Sequence, residues 1–354
     1  MITERRRFIG CLAGGMLSGL VTVQRLLANR PPDLPETDER AVCPPDEVER
    51  LLAGLSGASP VTAGRMTWVA SATITLFSLP VFSRRGVGSG YAVVEEARLG
   101  TGENAVSIQF GAGSWPESAH GLNRFGLIHE VTVENRNGAP DESAYGAFIT
   151  TSREKSIDQA TQALKATGAT IPYVAAQGHA SHGRFAARVD GLEFPSHYTW
   201  RDADSLMTYV REIVARTPCP PKVERGGAGL FLYSVHRAMA DTRTATECSL
   251  FFNGKRFRLR TTKEHDPALG ARLVEKKIAA RAEDVIRLDA VIREEQNGRE
   301  TKSTPETPFR VWYEAGSRKS PPIRFEYQAK SFLRLVFEMD ATAQTPQFGF
   351  AIKS

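Results

Sequence analysis

Histidine is scarce in this sequence, seven in 354 residues, and His179, His182 and His197 lie within one short stretch. Neutral imidazole is a good zinc ligand, and a three-residue spacing on a helix would set His179 and His182 on one face with His197 as a third ligand. Gly178 and Gly183 bound the first two, which reads instead as a loop between strands whose histidines meet solvent. A second cluster runs Gly111, Gly113, Ser114, Trp115, Pro116 and then His120, Gly121, Leu122, Asn123, Arg124. Trp115, His120, Asn123 and Arg124 join a stacking surface to amide, imidazole and guanidinium groups, a mixture that orients polar ligands. They form the expected ligand-binding site, with a structured connection as the plainer account.

Other patterns carry less chemistry. Gly86, Gly88 and Gly90 match neither a dinucleotide fingerprint nor a Walker loop, and a bulged sheet corner explains them better. Lys255, Arg256, Arg258 and Arg260 would suit an anionic lipid or glycan, but a solvated sheet face balanced by acids such as Glu247 is the default. Ser152 and Lys155 stand in a Ser-x-x-Lys sequence at a helix start, which resembles the nucleophile motif of penicillin-recognising enzymes. The partner motifs of that class, Lys-Thr-Gly and Ser-x-Asn or Tyr-x-Asn, do not follow, and a capping box from Thr151 to Glu154 accounts for the residues. No catalytic residues are assigned and no cofactor is expected.

The N-terminus has its own logic. Arg5, Arg6 and Arg7 precede Phe8, Ile9 and Gly10, then an apolar stretch from Cys11 to Val23 is softened by Gly14, Gly15 and Gly19. This resembles a twin-arginine signal peptide, which implies export to the periplasm through the twin-arginine machinery. Residues 1–28 are the expected signal, with cleavage after Ala28, and an uncleaved signal anchor is the alternative. Removing them leaves 41 basic and 39 acidic side chains, a formal charge of +2. A balance so close to neutral argues against a nucleic-acid partner or a polybasic anchor. No later run is apolar for about 20 residues, so no stable transmembrane segment is expected after cleavage. Cys43, Cys219 and Cys248 would then face an oxidising compartment. Cys43 and Cys219 both precede Pro-Pro and are the expected disulfide; a Cys219 to Cys248 bridge and three reduced thiols are the alternatives.

Positioning these residues falls to a strand-rich chain. Residues 29–42 read as a linker, 43–222 as an N-terminal domain and 223–354 as a C-terminal β-rich domain, with the Pro- and Gly-rich stretch near residue 223 between them. Strand signals run over 66–77, 91–95, 105–110 and 127–134, and the last alternates Leu127, His129, Val131 and Val133 against Ile128, Glu130, Thr132 and Glu134, predicting one buried and one wet face. Helices are expected from residue 44 or 45, over 151–168, from Asp202 and from Asp266. Extended segments over 170–175 and 183–189 separate the middle two helices. Strands over 250–252 and 255–262 flank an Asn253-Gly254 turn, and others follow at 285–292, 309–314, 323–327 and 333–339. The expected class is α+β, with predominantly antiparallel β-sheets, a few packed helices and two sheet-containing halves.

Pro308, Phe309, Val311, Trp312 and Tyr313, then Pro322, Ile323, Arg324 and Phe325, then Phe332, Leu333 and Leu335 resemble the end of an exported bacterial domain family of unknown function. The resemblance covers the last third of the chain, implies a curved antiparallel sheet and carries no catalytic residue across. The function expected is that of a non-catalytic envelope protein whose curved sheet takes an apolar or amphipathic ligand, such as a lipid. A metal- or serine-dependent hydrolase of an envelope component and an envelope scaffold are the alternatives.

Overall fold

The computed structural model describes residues 59–76, 79–99, 102–119, 123–134, 140–151, 170–181, 184–195, 199–203, 205, 223–225, 229–252, 255–296, 299–301, 306–316, 322–330, 333–343 and 345. The expected signal and linker, the helices at 44–54, 152–168 and 206–214, and Cys43 and Cys219 lie outside them.

Sixteen strands share one sheet: β1 (Ser59–Leu76), β2 (Leu79–Arg98), β3 (Asn104–Ser114), β4 (Phe125–Glu134), β5 (Pro140–Thr151), β6 (Thr170–Ser181), β7 (Arg184–Pro195), β8 (Val223–Arg225), β9 (Gly229–Leu230), β10 (Ala245–Phe252), β11 (Lys255–His265), β12 (Val285–Gln296), β13 (Arg299–Glu300), β14 (Thr307–Glu314), β15 (Arg324–Lys330) and β16 (Leu333–Met339). Two α-helices are complete among the described residues, α1 (Phe231–Ala240) and α2 (Pro267–Glu275). The order is β8-β7-β6-β5-β4-β3-β2-β1-β16-β15-β14-β12-β11-β10-β9, with β13 paired to β12. Antiparallel pairing of β1 with β16 joins the first and last strands and carries the sheet across both expected halves. At the far end β9 runs beside β4 and β5, so the sheet curls into a nearly closed barrel and β6 to β8 continue past the seam.

This corrects the α+β expectation: the fold is predominantly β. Strand length made the difference. β1 and β2 run for 18 and 20 residues, well beyond 66–77 and 91–95, and β5 had no counterpart in the sequence reading. Glycine- and serine-rich stretches read as corners are carried inside these strands. The Gly86 to Gly90 segment is one: the β1–β2 register slips between Ala70↔Gly88 and Ser71↔Arg85, and Gly86 has φ 74°, so a bulge absorbs the extra residues without ending the strand.

Inside the barrel, alternate residues of each strand meet. Trp68, Ala70, Ala72 and Ile74 of β1 pack with Leu333, Leu335 and Phe337 of β16. Phe325 ties this cluster to a second one of Leu250, Phe257, Leu259, Leu288, Ala290 and Val311. Its ring stacks on Phe337 at 4.1 Å and stands edge-on to Trp68 at 5.2 Å. α2 begins as expected: Asp266 caps it by accepting from Leu269 N at 2.9 Å, with Pro267 in the first turn. It packs Leu269 and Leu273 at one rim, against Val285, Trp312 and Ile323 with Met66 and Met339 beside them.

On the other side of the sheet, β2, β3 and β4 are covered as well. Trp200, in a single 3₁₀ turn capped by Thr199 and Asp202, is fully buried on Tyr91 and Phe125 and donates from Nε1 to Ser89 Oγ at 2.8 Å. Gly113 leaves the indole room, since a Cβ there would lie 2.6 Å from Trp200. Asp202 closes this capping box, accepting from Thr199 N at 2.7 Å, and Ala203 and Ser205 directly after it are helical, where the sequence placed a helix. Gly113→Ala should therefore destabilise the protein by about 2 kcal/mol through overpacking, read from the urea midpoint, whereas Gly102→Ala, in open space, should act only through its φ of 88°.

Candidate functional site

The sequence-expected ligand residues come together as a tight connection between β3 and β4. Trp115, Asn123 and Arg124 are all buried, and His120 lies outside the described residues. Ser114 Oγ accepts from Arg124 N at 2.8 Å and donates to Arg124 O at 3.1 Å, while Trp115 N donates to Val87 O at 3.1 Å. Arg201 stacks over the Trp115 ring at 4.8 Å and pairs with Glu117. The Ser114 and Val87 contacts fix the connection to the sheet, and Arg201 ties it to the turn that carries Trp200.

Of the expected metal ligands, His179 lies in β6, opposite Tyr145 and Ala186. His182 and His197 lie outside the described residues, as do Ser152 and Lys155. Among the described residues no group of three His, Cys, Asp or Glu side chains is placed to hold a metal ion. Cys248 is unbonded. Arg256, Arg258 and Arg260 meet acids across the strands. Arg256 and Arg258 reach the buried Glu295, Arg258 and Arg260 reach Glu247, and Arg260 also pairs with Glu300.

A Ser–His contact does exist in the sheet. Ser107 Oγ and His129 Nε2 are 3.1 Å apart, with Glu95 opposite Ser107 in the β2–β3 register. A nucleophile must reach its substrate, and here Ser107, His129 and Glu95 are 0%, 1% and 3% exposed. The pair satisfies two buried polar groups and offers no open side for attack.

The arrangement that stands out is α1, which crosses the barrel interior from β4 to β11. Its sequence, Phe231-Leu232-Tyr233-Ser234-Val235-His236-Arg237-Ala238-Met239, has helical spacing of apolar residues but no capping side chain at Leu230. Glu130 of β4 supplies the cap from the wall: its carboxyl accepts from Tyr233 N at 3.0 Å and from the Phe231 and Leu232 amides. At the other end Lys263 of β11 donates to Met239 O at 3.4 Å and to Asp241 O. An acid thus sits at the positive end of the helix dipole and a base at the negative end. Tyr233 Oη donates to Glu134 Oε1 at 2.6 Å, and Arg237 approaches the same carboxylate at 3.8 Å.

Around this strap the wall is apolar. Val94, Val106, Ile108, Leu230 and Phe251 close on Tyr233, and Phe231 meets Phe252 at 5.3 Å and Phe309 at 6.0 Å. Sequence reasoning missed Glu130, Lys263 and α1 itself. It assigned Glu130 to a wet face, but both faces of β4 are buried from Phe125 to Val133, which corrects the half-exposed reading. The available signals were Ile128 on the supposedly polar face and the unclaimed helical spacing from Phe231 to Met239.

No family model matches the sequence, and no curated protein does. Among solved structures the chain is similar to a beta-barrel-like protein of a domain of unknown function, DUF1849, from Brucella abortus, at 7% identity and a TM-score of 0.40, over 79% of this chain and 95% of that one.

Burial pushes the Glu130 carboxyl up to about 8, against the pull of the three amides that it caps. The folded protein therefore holds this proton more tightly than the unfolded chain. Its contribution is fully present below the ordinary carboxylate range and is lost as pH rises through about 8. Glu130→Gln should flatten the fall in stability between pH 5 and 8, measured by urea unfolding at each pH. Glu130→Ala should cost about 1–3 kcal/mol at every pH, because the α1 amides stay buried without an acceptor.

Proposed function

We propose that this chain is a non-catalytic envelope protein, exported to the periplasm by the twin-arginine machinery, whose barrel-like sheet binds an apolar or amphipathic ligand beside α1. The observation that carries the reading is the interior itself. Its wall is lined by Trp68, Phe110, Phe309, Phe325 and Phe337, and the one described helix inside it is tied to opposite walls by Glu130 and Lys263. A helix held through its ends can shift along an apolar wall at lower cost than a strand locked in a ladder. An acyl chain would then lie against the rings, with its polar end toward Glu134 and Arg237, where α1 meets solvent. The paired arginines at residues 5 to 7 and the apolar segment after them support export.

Protein isolated from its native periplasm should release a lipid-sized mass when native and denaturing mass spectra are compared. It should also raise the fluorescence of an apolar probe, and extracted envelope lipid should reverse the rise. Protein that carries no adduct, with no more probe uptake than a solid-core β protein, would sink the reading.

A further inference from the structure

Along β10 and β11, polar groups of the barrel wall find partners within the protein. The Thr246 and Thr261 hydroxyls lie 2.6 Å apart, and Lys263 serves the last carbonyls of α1. Tyr313 of β14 differs. The residue is 5% exposed, and its buried Oη has no hydrogen-bond partner among the described residues. Strand alternation sets its direction: Val311 and Tyr313 join the interior cluster with Ala238, Met239 and Leu288, while Trp312 between them packs with Leu269 and Leu273 of α2. The hydroxyl is therefore carried on the inner face, with Ile286 opposite it on β12 and Leu288 and Val311 in the next pair. Such neighbours give a water few second partners, so a water alone completes this group poorly. An unmatched buried hydroxyl is a net cost to the folded chain and calls for something that completes it.

The same cluster borders open space. Phe231 and Val235 of α1, Ile286 of β12 and Phe309 of β14 pack against it and are only partly buried. Side chains inside a barrel that still meet solvent line a volume that the chain does not fill. Ala238 and Met239 bring the cluster to the turn of α1 that carries Arg237, beside Glu134. Arg237 is engaged there by Glu134, and Lys263 by the α1 carbonyls. Burial pushes the Tyr313 hydroxyl up to about 12, so it remains a donor across the physiological range.

We propose that the Tyr313 hydroxyl donates to the carbonyl oxygen of an acyl ester, with the chain on the Phe231 and Phe309 rings and the head group continuing toward Arg237 and Glu134. One donor among apolar neighbours suits a group that accepts and does not donate, which describes an ester and not an amide. A carboxylate would reach a wall whose nearby bases are already engaged, and its charge would be buried unpaired. This inference rests on the ligand-binding reading and deepens it.

The test is displacement of phenylnaphthylamine from the full chain by methyl laurate, by tetradecane of matching chain length and by laurate. The native chain should take methyl laurate most tightly, and Tyr313→Phe should weaken it about three- to tenfold while leaving tetradecane unchanged. Tyr313→Phe should also raise the urea midpoint of the ligand-free chain, because an unmatched buried hydroxyl is removed. The infrared carbonyl stretch of bound, isotope-labelled methyl laurate should lie lower with the native chain than with Tyr313→Phe. Equal affinity of the two chains for the ester, an equal loss for tetradecane, an unshifted carbonyl, a lowered urea midpoint or tighter binding of laurate than of its ester each overturns the proposal and leaves ligand binding standing. A native chain that takes up neither the probe nor the ester overturns both.

Discussion

A short helix inside a β-barrel has a problem at each end. Its first amides and last carbonyls are left without helical partners, and the barrel wall has already spent its own backbone groups on neighbouring strands. In this protein two side chains from opposite walls resolve it: Glu130 takes the amides of α1 and Lys263 its last carbonyls. The rest of the interior depends on that strap. With α1 in place, Phe231 and Leu232 join Ile128 and Phe110 of one wall to Phe252 of the other. Without it, β9 loses the connection that brings the far end of the sheet beside β4 and β5.

The same acid makes the strap responsive. Glu130 has no bulk water to stabilise its charge, and the three amides only partly replace it. Neutral, it still accepts hydrogen bonds and costs little; ionised, it gains from the helix dipole but pays for burial. The grip of the wall on α1 is thus coupled to proton uptake inside an otherwise apolar interior, where the proposed ligand would also act.

Elsewhere, polar groups are neutralised locally. The arginine rows of β11 are matched by Glu247, Glu295 and Glu300 on neighbouring strands, so a stripe that looks basic in sequence is balanced in space.

Much of the β content was legible in the sequence. Val-, Ile- and Phe-rich runs marked β1 to β4, β10 to β12 and β14 to β16, extended segments marked β6 and β7, Asn253-Gly254 marked the turn between β10 and β11, and Asp266-Pro267 marked the start of α2. Those signals are local: they rest on turn chemistry, capping and side-chain alternation within a few residues. The sequence did not reveal that one sheet joins β1 to β16, that β4 is buried on both faces, or that Trp200 lies over Gly113. Nor did it show that the uncapped segment from Phe231 to Ala240 is a helix, since the groups that satisfy its ends are 103 and 24 residues away in the chain. The sequence by itself determined where most of the strands and turns form. Tertiary structure alone decided which faces meet water, because burial depends on what packs against a strand and not on the strand's own pattern.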